Sequence, residues 1–139
     1  MRRLLAIDDN PDCAELIVRC ASKCGYDAMA LSDPRGVAHV LATWKPHIAT
    51  LDLCMPQQDG IALLSLLRDA GFCGELLIVS GQDQKLRKAA AQIAAAKGLS
   101  VIGDLSKPID LGKLRALLTT VAVPSSSAPQ YGSRRIIGS

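Results

Sequence analysis

The sequence contains five side chains that could act together in one kind of reaction: three aspartates, a serine and a lysine. They are Asp8, Asp9, Asp52, Ser80 and Lys107. Carboxylates that share a crevice repel each other, and a hard cation such as Mg²⁺ allows them to stay ionised together. An ionised aspartate can then attack phosphorus, while a lysine and a hydroxyl bind the transferred group. The set therefore indicates Mg²⁺-assisted phosphoryl transfer if the fold brings these side chains together.

The spacing of apolar runs predicts a fold that does so. Five short runs are typical of strands, and they cover residues 4–7, 27–31, 48–51, 76–79 and 101–102. Helical patterns alternate with them, which predicts an α/β fold with a five-stranded parallel sheet covered by helices on both faces. Ligands bind such sheets beyond the carboxyl ends of the strands. The acid pair follows the first strand, Asp52 the third, Ser80 ends the fourth and Lys107 follows the fifth.

Capping residues and helix breakers predict where the helices begin and end. Asn10 caps the first helix, Pro11 lies in its first turn and Gly25 stops it. Asp33 opens the second helix and Pro46 closes it. The remaining boundaries are Gly71 at the end of the third helix, residues 83 and 97 for an alanine-rich fourth, and Asp110 as the cap of the fifth.

Composition restricts the class of protein. The 139 residues suit a single domain, and 49% hydrophobic with only 3% aromatic residues predicts an aliphatic core. The net charge of +3 is spread out, which argues against direct nucleic-acid binding. No apolar stretch could serve as a signal peptide or membrane span, so we expect a cytoplasmic protein without a membrane partner. From residue 124 the sequence is rich in Pro, Ser and Gly, which predicts a folded domain at 1–123 and a flexible tail or linker start at 124–139.

Four segments together form a specific signature. They are Leu-Ala-Ile-Asp-Asp-Asn at 5–10, Asp-x-x-Met-Pro-x-x-Asp-Gly at 52–60, Ile-Val-Ser-Gly at 78–81 and Ser-Lys-Pro at 106–108. In this order they resemble the receiver domains of response regulators in two-component signalling, over residues 1–122. The resemblance implies a doubly wound, flavodoxin-like sheet with strand order 2-1-3-4-5, and a receiver domain at 1–123.

The resemblance also implies the roles of the acids. Asp52 would be the phosphoacceptor and a ligand of Mg²⁺, which is the implied cofactor. Asp9 would bind Mg²⁺ directly, Asp8 directly or through a water, and the backbone carbonyl of Cys54 would complete the protein ligands.

Further implications of the resemblance concern the phosphoryl group and the partners. Lys107 would contact that group, and Ser80 would move toward it as a switch. The Lys107–Pro108 peptide would be cis. The donor would be a phosphohistidine on a sensor histidine kinase or a phosphotransfer protein. An output domain, an effector protein and a second copy of the chain are further expected partners. The chain would be no enzyme beyond its own phosphorylation and dephosphorylation.

The sequence departs from the family at the usual output and dimerisation surface. Receivers usually carry an aromatic residue or His three residues before the lysine, where this chain has Asp104, and Ile109 replaces a common Phe. The stretch from Ser80 to Lys107 is also longer than usual. The combination of Val-Ser-Gly at 79–81, a long alanine-rich helix and the segment 98–103 is similar to receivers that precede cyclic-di-GMP phosphodiesterase domains.

Two other interpretations remain at this point. Haloacid-dehalogenase phosphatases use the same residue types around Mg²⁺, but they place an Asp-x-Asp nucleophile after the first strand, whereas residue 10 here is Asn. A degenerate receiver would serve only as a phosphorylation-independent docking or dimerisation module. Asp104 favours that interpretation, and the intact acid cluster with Ser80 and Lys107 argues against it.

Overall fold

A single parallel sheet organises the chain. The computed structural model describes residues 2–55, 58–81 and 84–122, and the predicted tail at 124–139 lies outside them. The strands are β1 Arg3–Ile7, β2 Asp27–Leu31, β3 Ile48–Asp52, β4 Glu75–Ser80 and β5 Ser100–Ser106. Every neighbouring pair is parallel, and the order β2-β1-β3-β4-β5 confirms the predicted topology.

Helices cover both faces of this sheet, as predicted. They are α1 Pro11–Lys23, α2 Val37–Thr43, α3 Gly60–Asp69, α4 Gln84–Ala96 and α5 Leu111–Ala122. One apolar core lies between the sheet and α2, α3 and α4, and a second lies between the sheet and α1 and α5. The central strands are apolar on both sides because both faces are covered: Leu5 and Ile7 of β1 enter the first core, and Leu4 and Ala6 enter the second.

The predicted caps fix the helix ends. The Asn10 side chain accepts hydrogen bonds from the backbone N–H groups of Asp12 and Cys13, and Asp110 does the same for Gly112 and Lys113. These contacts satisfy amide groups that a helix start leaves without partners. The predicted stops Gly25 and Gly71 adopt positive φ, at 92° and 80°, and so does Gly98 after the fourth helix, at 88°; this conformation favours glycine after a helix.

Three local features differ from the sequence prediction. The second helix begins as a 3₁₀ turn, Pro34–Gly36, and its α-helical part ends at Thr43, before the predicted stop at Pro46. Two-residue strands, Cys54–Met55 and Gln58–Asp59, pair antiparallel after β3, and no pattern of residues predicts them. The fifth strand is longer than 101–102 because it continues through polar positions.

A register shift interrupts the pairing of β4 with β5. Leu76 pairs with Val101, whereas Leu77 pairs with Gly103, so Ile102 is one extra residue in β5. Such a bulge leaves two consecutive residues on one face of a strand. Accordingly, Ile102 packs in the α1/α5 core, and a Cβ placed on Gly103 would meet Leu117 of α5.

Within the described ranges, none of the helices combines the length and the apolar character required to cross a membrane.

Candidate functional site

The fold brings the predicted side chains to the carboxyl edge of the sheet. Asp8 and Asp9 follow β1, Asp52 is the last residue of β3, Ser80 is the last residue of β4 and Lys107 follows β5 directly. Carboxylate oxygens of Asp8, Asp9 and Asp52 all lie within 4.8 Å of one another. Neighbouring parallel strands end at the same edge, which is why residues far apart in sequence meet here.

Lys107 lies between two of these acids. Its Nζ is 3.1 Å from Asp8 Oδ2 and 3.2 Å from Asp52 Oδ2. Burial lowers the pKa of Lys107, but the adjacent Asp8 and Asp52 carboxylates outweigh burial and raise that pKa above its ordinary value. The lysine is therefore a fixed positive charge that both carboxylates share at neutral pH.

The acids differ in exposure. Asp8 and Asp52 retain only 1% and 2% of their exposure, whereas Asp9 is half-buried. Three carboxylates and one ammonium leave a net negative charge in a largely water-excluded site. Such a site has a strong tendency to bind a cation.

Backbone contacts hold the site residues in place. The amide of Asn10 donates to Asp8 Oδ1 at 2.9 Å, so the start of α1 orients the first acid. The amide of Lys107 donates to the carbonyl oxygen of Ser80 at 3.1 Å, which joins the ends of β4 and β5. Ser80 is fully buried, and the Lys107–Pro108 peptide is cis, as the resemblance implies.

Cys13 is a neighbour of the site that sequence reasoning missed. It lies in the first turn of α1, and burial together with a hydrogen bond to the Asp8 carboxylate raises the pKa of its thiol to about 12. The sulfur therefore keeps its proton at neutral pH and acts as a donor to Asp8 rather than as a nucleophile. A signal was present in the sequence, because Cys13 comes four residues after the acid pair in a helix that begins at once.

Cys54 and Asp104 were also singled out in the sequence. Cys54 begins the short strand that follows Asp52 by two residues, and its part as a carbonyl ligand stays a prediction. Asp104, at the position where the family usually has a ring, is half-buried and forms an ion pair with Arg87 of α4 at 3.3 Å.

The three carboxylates fit a Mg²⁺ ion. Their oxygens are close enough to share one cation, and hard oxygen donors are the ligands that Mg²⁺ prefers. Two of them also contact Lys107, whose ammonium group therefore lies next to the place where a cation would bind. The arrangement can therefore hold a divalent cation beside a buried aspartate.

Known proteins share both the sequence pattern and the fold. Residues 4–119 match the model of the response regulator receiver domain. The alkaline phosphatase synthesis transcriptional regulatory protein PhoP of Bacillus subtilis is 26% identical over 133 residues, which are 90% of this chain and 52% of that protein. The cyclic di-GMP phosphodiesterase RocR of Pseudomonas aeruginosa is 35% identical over 95 residues, which are 68% of this chain and 22% of that protein.

Solved structures agree with this match. A response regulator from Colwellia psychrerythraea superposes with a TM-score of 0.77 at 28% identity, covering 88% of this chain and 97% of that one. The chain spans about half the length of PhoP, 52%, and less of RocR, 22%. The activities of the other parts of PhoP and RocR are properties of those two proteins.

Proposed function

This chain belongs to the response regulator receiver domain family, and we propose that it accepts a phosphoryl group on the Asp52 carboxylate. The observation that carries this proposal is the placement of Lys107 Nζ within 3.1 Å of Asp8 and 3.2 Å of Asp52, beside a third acid. Family membership removes the support for a haloacid-dehalogenase phosphatase. The donor is a phosphohistidine of a sensor histidine kinase or a phosphotransfer protein.

The cation site is formed by Asp8, Asp9 and Asp52, with the Cys54 carbonyl as a further ligand. Bound Mg²⁺ would neutralise the clustered carboxylates and the negative charge of the phosphoryl oxygens. The close approach of the three carboxylates supports this assignment. Asp8 accepts a hydrogen bond from the Asn10 amide on Oδ1, and its Oδ2 contacts Lys107 and would be available to a cation.

The residues of the chain perform the transfer by position and charge. An Asp52 oxygen attacks the phosphorus of the phosphohistidine, the P–N bond breaks, its electron pair goes to the imidazole, and Asp52 becomes an acyl phosphate. The Lys107 ammonium stabilises the transferred phosphoryl oxygens, and the Ser80 hydroxyl donates a hydrogen bond to them after moving toward Asp52. Burial of Asp52 limits access of water to the acyl phosphate.

In this function the chain is a signalling switch of the cytoplasm. It catalyses only its own phosphorylation and dephosphorylation, and the change is transmitted to an output domain, an effector protein or a second copy of the chain. The proposed domain covers residues 1–123, and the segment 124–139, predicted to be a tail or the start of a linker, lies outside the described residues. The similarity to RocR supports a connection with cyclic-di-GMP signalling.

A degenerate receiver that docks partners without phosphorylation is the alternative. The observation that favours it is the ion pair of Asp104, which occupies the usual position of the switch ring.

Incubation with Mg²⁺ and acetyl phosphate, followed by intact mass measurement, tests the proposal. We expect one phosphoryl group on the wild type and none on Asp52→Ala. Asp69→Ala, which removes an exposed acid of α3, is the matched control and should be modified like the wild type. Absence of an adduct, together with failure of beryllofluoride to bind in the presence of Mg²⁺, would favour the docking module instead.

A further inference from the structure

Arg87 and Asp104 form a partly buried ion pair that joins α4 to β5. Arg87 Nε donates to Asp104 Oδ1 at 3.3 Å, and the side chains retain 13% and 32% of their exposure. Outside the acid cluster, the other ion pairs found among the described residues are half exposed or more. They are Arg19–Glu15, Arg35–Asp33 and Arg68–Asp69, each within a stretch of five residues or fewer. Of these pairs, Arg87–Asp104 alone therefore connects two elements across a desolvated contact.

Asp104 also lies close to the mobile part of the proposed switch. It pairs across strands with Ile78, and Ser80 pairs with Ser106. Ile78 lies in the α2–α4 core, and because strand residues two apart share a face, Ser80 faces the same side. The α4 helix begins at Gln84, four residues after Ser80.

The sheet order fixes the direction in which a movement of Ser80 would act. Strand β4 lies between β3, which carries Asp52, and β5, which carries Asp104. Movement of Ser80 toward a phosphoryl group on Asp52 is therefore movement away from β5. Since α4 starts shortly after Ser80, its first turns would be drawn in the same direction, away from Asp104.

The described part of α4 buries little apolar surface. The buried side chains of α4 are Ala90 and Ala94, whereas α3 buries Leu63, Leu64 and Leu67. A methyl group buries much less apolar surface than a leucine side chain. The ion pair therefore adds to a small apolar contact between α4 and the sheet, and it lies nearer to the start of the helix than the two buried alanines.

We propose that the Arg87–Asp104 pair is a latch that holds α4 against β5 and opens when Asp52 is phosphorylated. This regulation rests on the proposed function. By linkage, a contact that stabilises the unphosphorylated arrangement must oppose the phosphorylated one to the same extent. Removal of the latch therefore favours the phosphorylated arrangement.

The test uses the full chain, and beryllofluoride with Mg²⁺ serves as the phosphoryl mimic. Asp104→Asn keeps the size of the side chain and removes its charge, and we expect roughly two- to fivefold tighter beryllofluoride binding. Amide hydrogen exchange over residues 84–96 in the metal-free protein should become faster. The exchanged pair, Arg87→Asp with Asp104→Arg, should return both quantities toward wild type. Arg19→Gln breaks an exposed pair on α1 and should change neither.

Each outcome separates the latch from the underlying function. If the wild type binds beryllofluoride and Asp104→Asn binds it with unchanged affinity, the latch is wrong, even if α4 exchanges faster, because the pair is then only structural. If the wild type does not bind beryllofluoride with Mg²⁺, the proposed phosphorylation itself is overturned, and the coupling with it. Tighter binding by both Asp104→Asn and Arg19→Gln would also contradict the latch.

Discussion

The amino and carboxyl ends of the sheet differ in how their polar groups are matched. At the amino end, Arg3 donates from Nε to the Trp44 carbonyl oxygen at 2.7 Å and from Nη2 to that of Lys45 at 2.9 Å. The Arg3 amide donates to His47 Nδ1 at 2.9 Å, and the His47 amide donates to the Arg3 carbonyl oxygen at 2.8 Å. At the carboxyl end, three carboxylates lie within 4.8 Å of one another, and Lys107 contacts two of them, Asp8 and Asp52.

The difference separates groups that stabilise the fold from groups that the fold must hold against repulsion. Each donor of Arg3 named here has an acceptor, so this network contributes to folding in the usual way. The carboxylates Asp8, Asp9 and Asp52 oppose one another, and their proximity lowers stability until a cation binds. A stability measurement on each end can therefore test the functional assignment without any partner protein.

The largest effect is expected from Asp52→Asn at the carboxyl end. Removing one like charge while Asp8 keeps its contact with Lys107 should raise the free energy of unfolding by about 1–2 kcal/mol without Mg²⁺. Urea unfolding at neutral pH measures this change. Addition of Mg²⁺ should stabilise the wild type more than the variant. The cation would bind the folded wild type through the Asp52 carboxylate, which the variant lacks. A variant less stable than the wild type without Mg²⁺ would contradict the repulsion argument.

A smaller effect of opposite sign is expected from Arg3→Ala at the amino end. The change leaves the Trp44 and Lys45 carbonyl oxygens without their side-chain donor, and it should lower the free energy of unfolding by about 1 kcal/mol. Because no metal ligand is involved, Mg²⁺ should stabilise this variant as much as the wild type. Arg35→Ala, at an exposed pair with Asp33, is the control and should change stability less. If both variants lost the same free energy of unfolding, the amino-end network would contribute no more to stability than an exposed ion pair.

The smallest effect concerns the pH dependence of the amino end. Burial and the charges of Arg3 and Arg2 lower the pKa of His47 from 6.5 to about 4. Since the unfolded chain binds this proton more readily, the contribution of neutral His47 is present above pH 6.5 and is lost as pH falls toward 4.

His47→Asn retains a hydrogen-bond acceptor but does not titrate, so its stability should fall less over that interval than that of the wild type. His39→Asn, at an exposed position of α2, should leave the wild-type slope. Unfolding curves at several pH values measure this difference. If the free energy of unfolding of His47→Asn depended on pH as in the wild type, His47 would not contribute to the pH dependence.

The sequence predicted most of the fold because its signals are local. The runs in β1, β3 and β4 are continuous and apolar, and Asn10 and Asp110 cap helices through their own neighbours. The position of the site followed from the strand ends, since Asp52 and Lys107 needed only the topology to meet.

The rest depends on contacts that no local pattern encodes. Strand β5 was underestimated because Gly103 and Asp104 are not typical strand residues. The contact of Cys13 with Asp8 depends on the angle at which α1 leaves the sheet. The Arg87–Asp104 pair spans 17 residues and depends on how α4 lies over β5. The carbonyl role of Cys54 and the functional roles of the site residues stay predictions.

The extra residue in β5 determines which side chains face α4 at all. Because Ile102 and Gly103 both face α1 and α5, the alternation after them is inverted, and Asp104 lies on the α4 side while Leu105 enters the opposite core. In an uninterrupted strand, Leu105 would face α4 and Asp104 would be placed among Leu77, Leu114 and Leu118. If all these residues paired without the bulge, a buried charge would thus replace the ion pair, so the bulge is as much a determinant of the surface chemistry as the residues of the strand.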